Sequence, residues 1–139
     1  MQHLLVPVDF SEPADTALTY AMALAGKLGA RLTLVHVIHL APLGVAEGGT
    51  VLPYLEAIEA QAQEGMEEYR AKVQAAELNV DVVITHGVPF QSIIEVAKER
   101  QVDLIVMGTH GRTGVSHVLL GSVAERVVRL APCPVLIAR

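Results

Sequence analysis

The residues best able to do chemistry lie in one stretch, Gly108-Thr-His-Gly111-Arg-Thr-Gly114-Val-Ser-His-Val-Leu-Leu-Gly121-Ser122. Glycine admits positive φ and close approach of backbone to ligand, so a loop with four of them can turn several N–H groups toward one anion. The stretch contains no Asp or Glu, Arg112 adds a cation, and His110 and His117 can add donors. A helix beginning near Ser122 would place roughly half a positive charge at the same spot. That dipole contributes only about 0.3 to 1 kcal/mol at an exposed site, too little for useful affinity. Hydrogen bonds to charged groups contribute about 1.5 to 3 kcal/mol each, so loop amides, the Ser122 hydroxyl and Arg112 must act together. The chemistry this implies is phosphate binding. A surface loop whose glycines merely permit turning is the plain alternative, but ligands of open parallel sheets lie beyond the carboxyl ends of strands, where this loop starts.

Asp9 ends the first apolar run, where a carboxylate can accept hydrogen bonds from ribose hydroxyls or from adenine, or simply start the next helix. Ser122 likewise has two roles open to it, helix cap and phosphate donor. Other chemistries lack their parts. The chain has no G-x-x-x-x-G-K-[ST], no G-x-G-x-x-G after the first strand, no G-x-S-x-G and no H-E-x-x-H. His36 and His39 are three apart, so on one strand they would face opposite sides, and no metal site of protein side chains is expected. Cys133, the sole cysteine, lies between Pro132 and Pro134 and reads as a buried, inert thiol.

The elements that must position these residues follow from periodicity. Apolar runs at Leu4 to Val8, Leu32 to Val37, Val80 to Thr85, Leu104 to Met107 and Val135 to Ala138 alternate with helix-period segments. This is the pattern of βαβ units and a parallel sheet covered on both faces. Ala14, Leu18, Ala21, Ala25 and Leu28 share one helical face, with Ser11 and Pro13 suited to its start. His39 to Pro53 is rich in Gly and Pro and reads as a long functional loop able to cover a ligand. Leu55, Ile58, Ala62, Met66, Tyr69, Val73 and Ala76 predict a second helix; Phe90, Ile94 and Ala97 predict a third. Ser122-Val-Ala-Glu125 has the form of a capping box, with Val123, Val127 and Leu130 facing inward beyond it.

At 139 residues, 52% of them hydrophobic and 18% charged, the chain suits one domain over 1–139 with a sizeable core. A net charge of −5 argues against general attraction to nucleic acid or acidic membrane. No signal-peptide pattern opens the sequence and no run approaches membrane-spanning length, so a soluble cytoplasmic protein is expected.

The spacing of Gly108, Gly111, Gly121 and Ser122 is similar to G-x2-G-x9-G-[ST], the signature of the ATP-binding branch of the universal stress protein family. The resemblance extends over the chain: Val6-Pro-Val-Asp9-Phe-Ser11 resembles the family's opening strand and turn, Gly121 to Val127 its final helix start, and Pro132 to Ile137 its last strand. It implies a five-stranded parallel α/β sheet in order 3-2-1-4-5, of the adenine nucleotide alpha hydrolase type. It further implies that Asp9 meets the ribose, that the backbone at Val37 meets adenine, and that Pro7, Val8 and Met107 line the base pocket. Gly111, Arg112, Gly121, Ser122 and Val123 would surround the phosphates, with Gly108 close to Asp9. The implied cofactor is ATP, ADP or AMP, with Mg2+ carried on the phosphates, and the implied partner is a second copy joined through the last strand. One departure stands out: relatives often carry a basic residue where this chain has Val115-Ser-His117-Val118, which weakens the case for a triphosphate over AMP. The expected function is a nucleotide-dependent regulatory module in stress response, without catalytic residues. A slow ATP-hydrolysing or phosphoryl-transferring enzyme using Asp9, His110 or His117, and a nucleotide-free dimeric interaction protein, are the competing readings.

Overall fold

A computed structural model describes residues 1–39, 51–110 and 120–139, the side chain of Val51 excepted. Strands and helices alternate along it: β1 (His3–Pro7), α1 (Glu12–Leu28), β2 (Arg31–Ile38), α2 (Val51–Ala75), β3 (Val80–His86), α3 (Pro89–Glu99), β4 (Leu104–Gly108), α4 (Ser122–Leu130) and β5 (Val135–Ala138). The strands form one parallel sheet in the order β3-β2-β1-β4-β5. All five apolar runs became strands, with ends within one residue of those expected.

Each face of the sheet carries its own core. Leu4, Val6, Leu34 and Val106 point toward α1 and α2, meeting Leu18, Ala21, Met66 and Val73. The alternate residues Leu5, Val35, Ile105 and Met107 point toward α3 and α4, meeting Ile93, Ala97, Ala124 and Val127. This period-two division explains why the central strands read as continuous apolar runs. Fully burying a side chain such as Leu18 contributes about 1.5 to 3 kcal/mol.

Helix α1 starts where Ser11, in extended conformation, accepts a hydrogen bond from the Ala14 amide (3.3 Å), with Pro13 in the first turn. It stops at Gly29, whose φ of 65° gives the left-handed cap that glycine adopts without strain. Its buried face is Ala14, Ala17, Leu18, Ala21 and Ala25. Leu28, expected there, is 48% exposed. A strict seven-residue repeat drifts about 20° per heptad on a straight helix, and two heptads carry Leu28 off the packed stripe.

The loop expected to run to Pro53 ends sooner, because α2 begins at Val51. Pro53 lies in its first turn, where no intrahelical donor is required, so the proline is no barrier. The rest of that expected loop, 40–50, lies outside the described residues. No described helix is long and apolar enough to cross a membrane.

Candidate functional site

Strand β1 pairs with β2 on one side and β4 on the other. The chain leaves β1 for α1 on one face and ultimately leaves β4 for α4 on the opposite face. The crevice between two such diverging connections is where open α/β sheets bind ligands. A cavity of about 620 Å³ opens there. Of the expected site residues it gathers Pro7, Val8, Asp9, Val37, Met107, Gly108, Gly121, Ser122 and Val123 into one lining. Gly111 and Arg112 lie outside the described residues, as does His117.

The turn after β1 is tightly determined. The Val8 amide donates to the Val35 carbonyl (2.8 Å), and the Val8 carbonyl accepts from Nδ1 of His36 (2.7 Å). Because a carbonyl only accepts, that bond places a proton on His36 Nδ1. Asp9 Oδ1 then accepts from the Ser11 amide (3.1 Å) and from the Ser11 hydroxyl. Asp9 therefore orients the residue that caps α1, and it also lines the cavity. Between Asp9 and Ser11, Phe10 has φ of 64°. For a bulky residue the left-handed region costs about 1 to 2 kcal/mol, so surrounding contacts must hold it there. The Phe10 ring meets the His36 ring at 4.6 Å and the Tyr69 ring at 5.8 Å between centroids. Tyr69 in turn donates its hydroxyl to Asp15, and burial, reinforced by that hydrogen bond, pushes its phenol well above the usual range.

The two ends of the glycine-rich segment are tied together, since the Gly121 amide donates to the Thr109 carbonyl at 2.6 Å. Gly121 thus spends its own amide within the protein. A Cβ there would lie 3.0 Å from His110 Cα, so a larger residue would require its neighbours to shift by a few tenths of an ångström. Gly108 has a similar explanation: a Cβ would fall 2.6 to 2.8 Å from Pro13 Cβ and its backbone carbonyl, so the residue is small because α1 begins against it.

Gly121 is also the N-cap of α4, in extended conformation and with no side-chain hydrogen bond. This corrects the capping-box register by one residue. Ser122 is the first helical residue and its hydroxyl caps nothing, while Glu125 donates its amide to the Gly121 carbonyl (2.9 Å). The amides of Ser122, Val123 and Ala124 belong to the first turn, where helix geometry offers no partner. All three residues border the cavity. An anion could satisfy those donors. Inward packing of α4 rests on Ala124 and Val127, whereas Leu130 is 53% exposed.

Sequence reasoning missed part of the wall, to which Ala14, Val35, Ile38, Ile58, Pro89, Ile93 and Leu120 contribute together with His36 and His39, whereas His110, expected to add a donor, does line it. Ile58, Pro89 and Ile93 come from α2 and α3, and their approach depends on helix packing that no local motif encodes. His110 is held by a 2.9 Å hydrogen bond between its Nδ1 and the Thr109 hydroxyl. No group of three or more potential metal ligands occurs among the described residues. Cys133 is half-buried rather than fully buried, and burial foremost pushes its thiol up, away from the reactive thiolate.

The family model described as "Universal stress protein family" matches residues 1–139. The chain belongs to the universal stress protein family. A universal stress protein of Methanocaldococcus jannaschii is 32% identical over 137 residues, spanning 98% of this chain and 81% of that protein. Universal stress protein UspA from Lactobacillus plantarum superposes with a TM-score of 0.85 at 32% identity, covering 99% of this chain and 97% of the other. Two more distant universal stress protein structures share the fold. One is in complex with cAMP (TM-score 0.75, 24% identity, 99% of this chain and 96% of that one). The other, from Archaeoglobus fulgidus, is in complex with dAMP (0.71, 21%, 100% and 98%).

Proposed function

We propose that this universal stress protein, a single domain over 1–139, binds an adenine nucleotide, ATP, ADP or AMP, and acts in the cytoplasm as a nucleotide-dependent regulatory module. One observation carries the reading: the Asp9 carboxylate and the unpartnered first-turn amides of α4 border the same cavity, joined by an apolar wall. A nucleotide presents hydroxyls, a polyanion and a flat apolar base, and the lining offers a group suited to each. Pro7, Val8, Val37 and Met107 take the base, Asp9 the ribose, and Ser122 and Val123 the phosphates, with Gly111 and Arg112 assigned there by the family resemblance. Complexes of distant family members with cAMP and dAMP support adenine nucleotides as a class this fold can hold. Mg2+ would enter on the phosphates.

Among the described strands β5 pairs only with β4, which leaves an apolar edge at Val135 to Ala138 that a second copy would cover as a homodimer.

Calorimetric titration with ATP, ADP, AMP and GTP, each with and without Mg2+, tests the reading. Saturable heat with the adenine nucleotides and weaker heat with GTP is the expected result. Flat traces throughout would leave the nucleotide-free interaction protein as the better account.

A further inference from the structure

The turn that carries Asp9 raises a question the nucleotide reading leaves open. Val8 is fixed through both its amide and its carbonyl. Ser11 is fixed as the cap of α1 and by its bonds to Asp9. Between these anchors, the direction in which the Asp9 carboxylate leaves the chain depends on the left-handed turn at Phe10. Glycine or asparagine adopts that conformation readily, and an aromatic residue does not. The turn is held instead by the ring. On the α2 side the ring occupies a notch at Gly65, where a Cβ would lie 2.6 Å from Phe10 Cε1 and 2.9 Å from Cζ. On the β2 side it packs on His36, which itself bonds the Val8 carbonyl. Helix α2 therefore grips the turn through Gly65, and a different residue of the same helix, Ile58, lines the cavity.

We propose that Phe10 is the positioning residue for Asp9, and that the Gly65 notch and the His36 ring hold it so that the carboxylate faces the hydroxyls of a bound nucleoside. The proposal rests on the nucleotide reading above and adds a specific consequence. Recognition of sugar hydroxyls depends on a contact to α2 made by a ring outside the cavity lining, whereas recognition of base and phosphate does not.

The test compares ATP with 2′,3′-dideoxy-ATP by calorimetry on the wild type, Gly65→Ala and Phe10→Gly, with circular dichroism following the fold. The wild type is expected to prefer ATP by about tenfold, the scale of one hydrogen bond to a charged group. Gly65→Ala displaces the ring and is expected to abolish most of that preference by weakening ATP alone, with dideoxy-ATP affinity unchanged. Phe10→Gly, which tolerates the turn but no longer anchors it, is expected to do the same and carries the test should Gly65→Ala fail to fold. A folded variant that keeps the full preference overturns the proposal. Equal wild-type affinity for the two nucleotides also overturns it while leaving the nucleotide site standing. Wild-type protein that binds neither defeats both.

Discussion

Residues far from the site set a pH limit on the fold. His3 is buried at the amino end of β1, with Nδ1 donating to the Arg100 carbonyl (3.2 Å) and Nε2 accepting from the Thr33 hydroxyl (2.7 Å). Burial foremost, and then the charge of Arg31, lowers its pKa, while the Arg100 carbonyl and Asp103 pull the other way. A base whose folded pKa is depressed binds fewer protons than in the unfolded chain, so its stabilisation is complete above about 6.5 and is lost as pH falls below it. The thermal midpoint is expected to fall between neutral pH and about pH 5. In His3→Gln, which keeps an acceptor and a donor but cannot titrate, that part of the profile should flatten. Asp103, held below its ordinary value by the Gln2 and His3 amides, contributes above about 3.8 and loses its effect in more acid solution, so the two limbs are separable. Neither role was legible in the sequence, since it arises from partners about a hundred residues apart. Asp9 was legible, because a carboxylate directly after an apolar strand and before a helix start has few places to go.

At the scale of elements, period and punctuation located the strands and helices, whereas contacts between elements corrected the finer register. The S-x-x-E pattern at Ser122 suggested a cap. The actual cap is Gly121, fixed one residue earlier because its amide is spent on Thr109. The two assignments differ in outcome. A capping serine replaced by alanine would cost about 1 kcal/mol of stability. Since Ser122 caps nothing, Ser122→Ala is expected to leave unliganded urea denaturation within about 0.5 kcal/mol of wild type. It should nonetheless reduce the stabilisation by ATP, read as a smaller shift in midpoint at fixed ligand concentration. A loss of unliganded stability on the scale of a cap would contradict the assignment. Pro53 misled in the opposite direction, as a proline that read as loop but lies in the first turn of α2.

For the molecule as a whole, the strand order matters most, because β1 and β4 become neighbours only through the reversal that sends their connections to opposite faces. Local periodicity cannot supply that order; the family resemblance could, and the sheet follows it. The same order leaves β5 at an edge, and sedimentation is expected to give about twice the 14.8 kDa chain mass, with a monomer at all concentrations contradicting the strand-paired dimer. It also brings Asp9 and the start of α4 to one cavity, on which the functional account depends. A crystal structure grown with ATP tests that most directly. The ribose is expected at Asp9, with phosphate oxygens within hydrogen-bonding reach of the Ser122 and Val123 amides. Nucleotide bound elsewhere on the surface, or an empty crevice between β1 and β4 at saturating ATP, would contradict it.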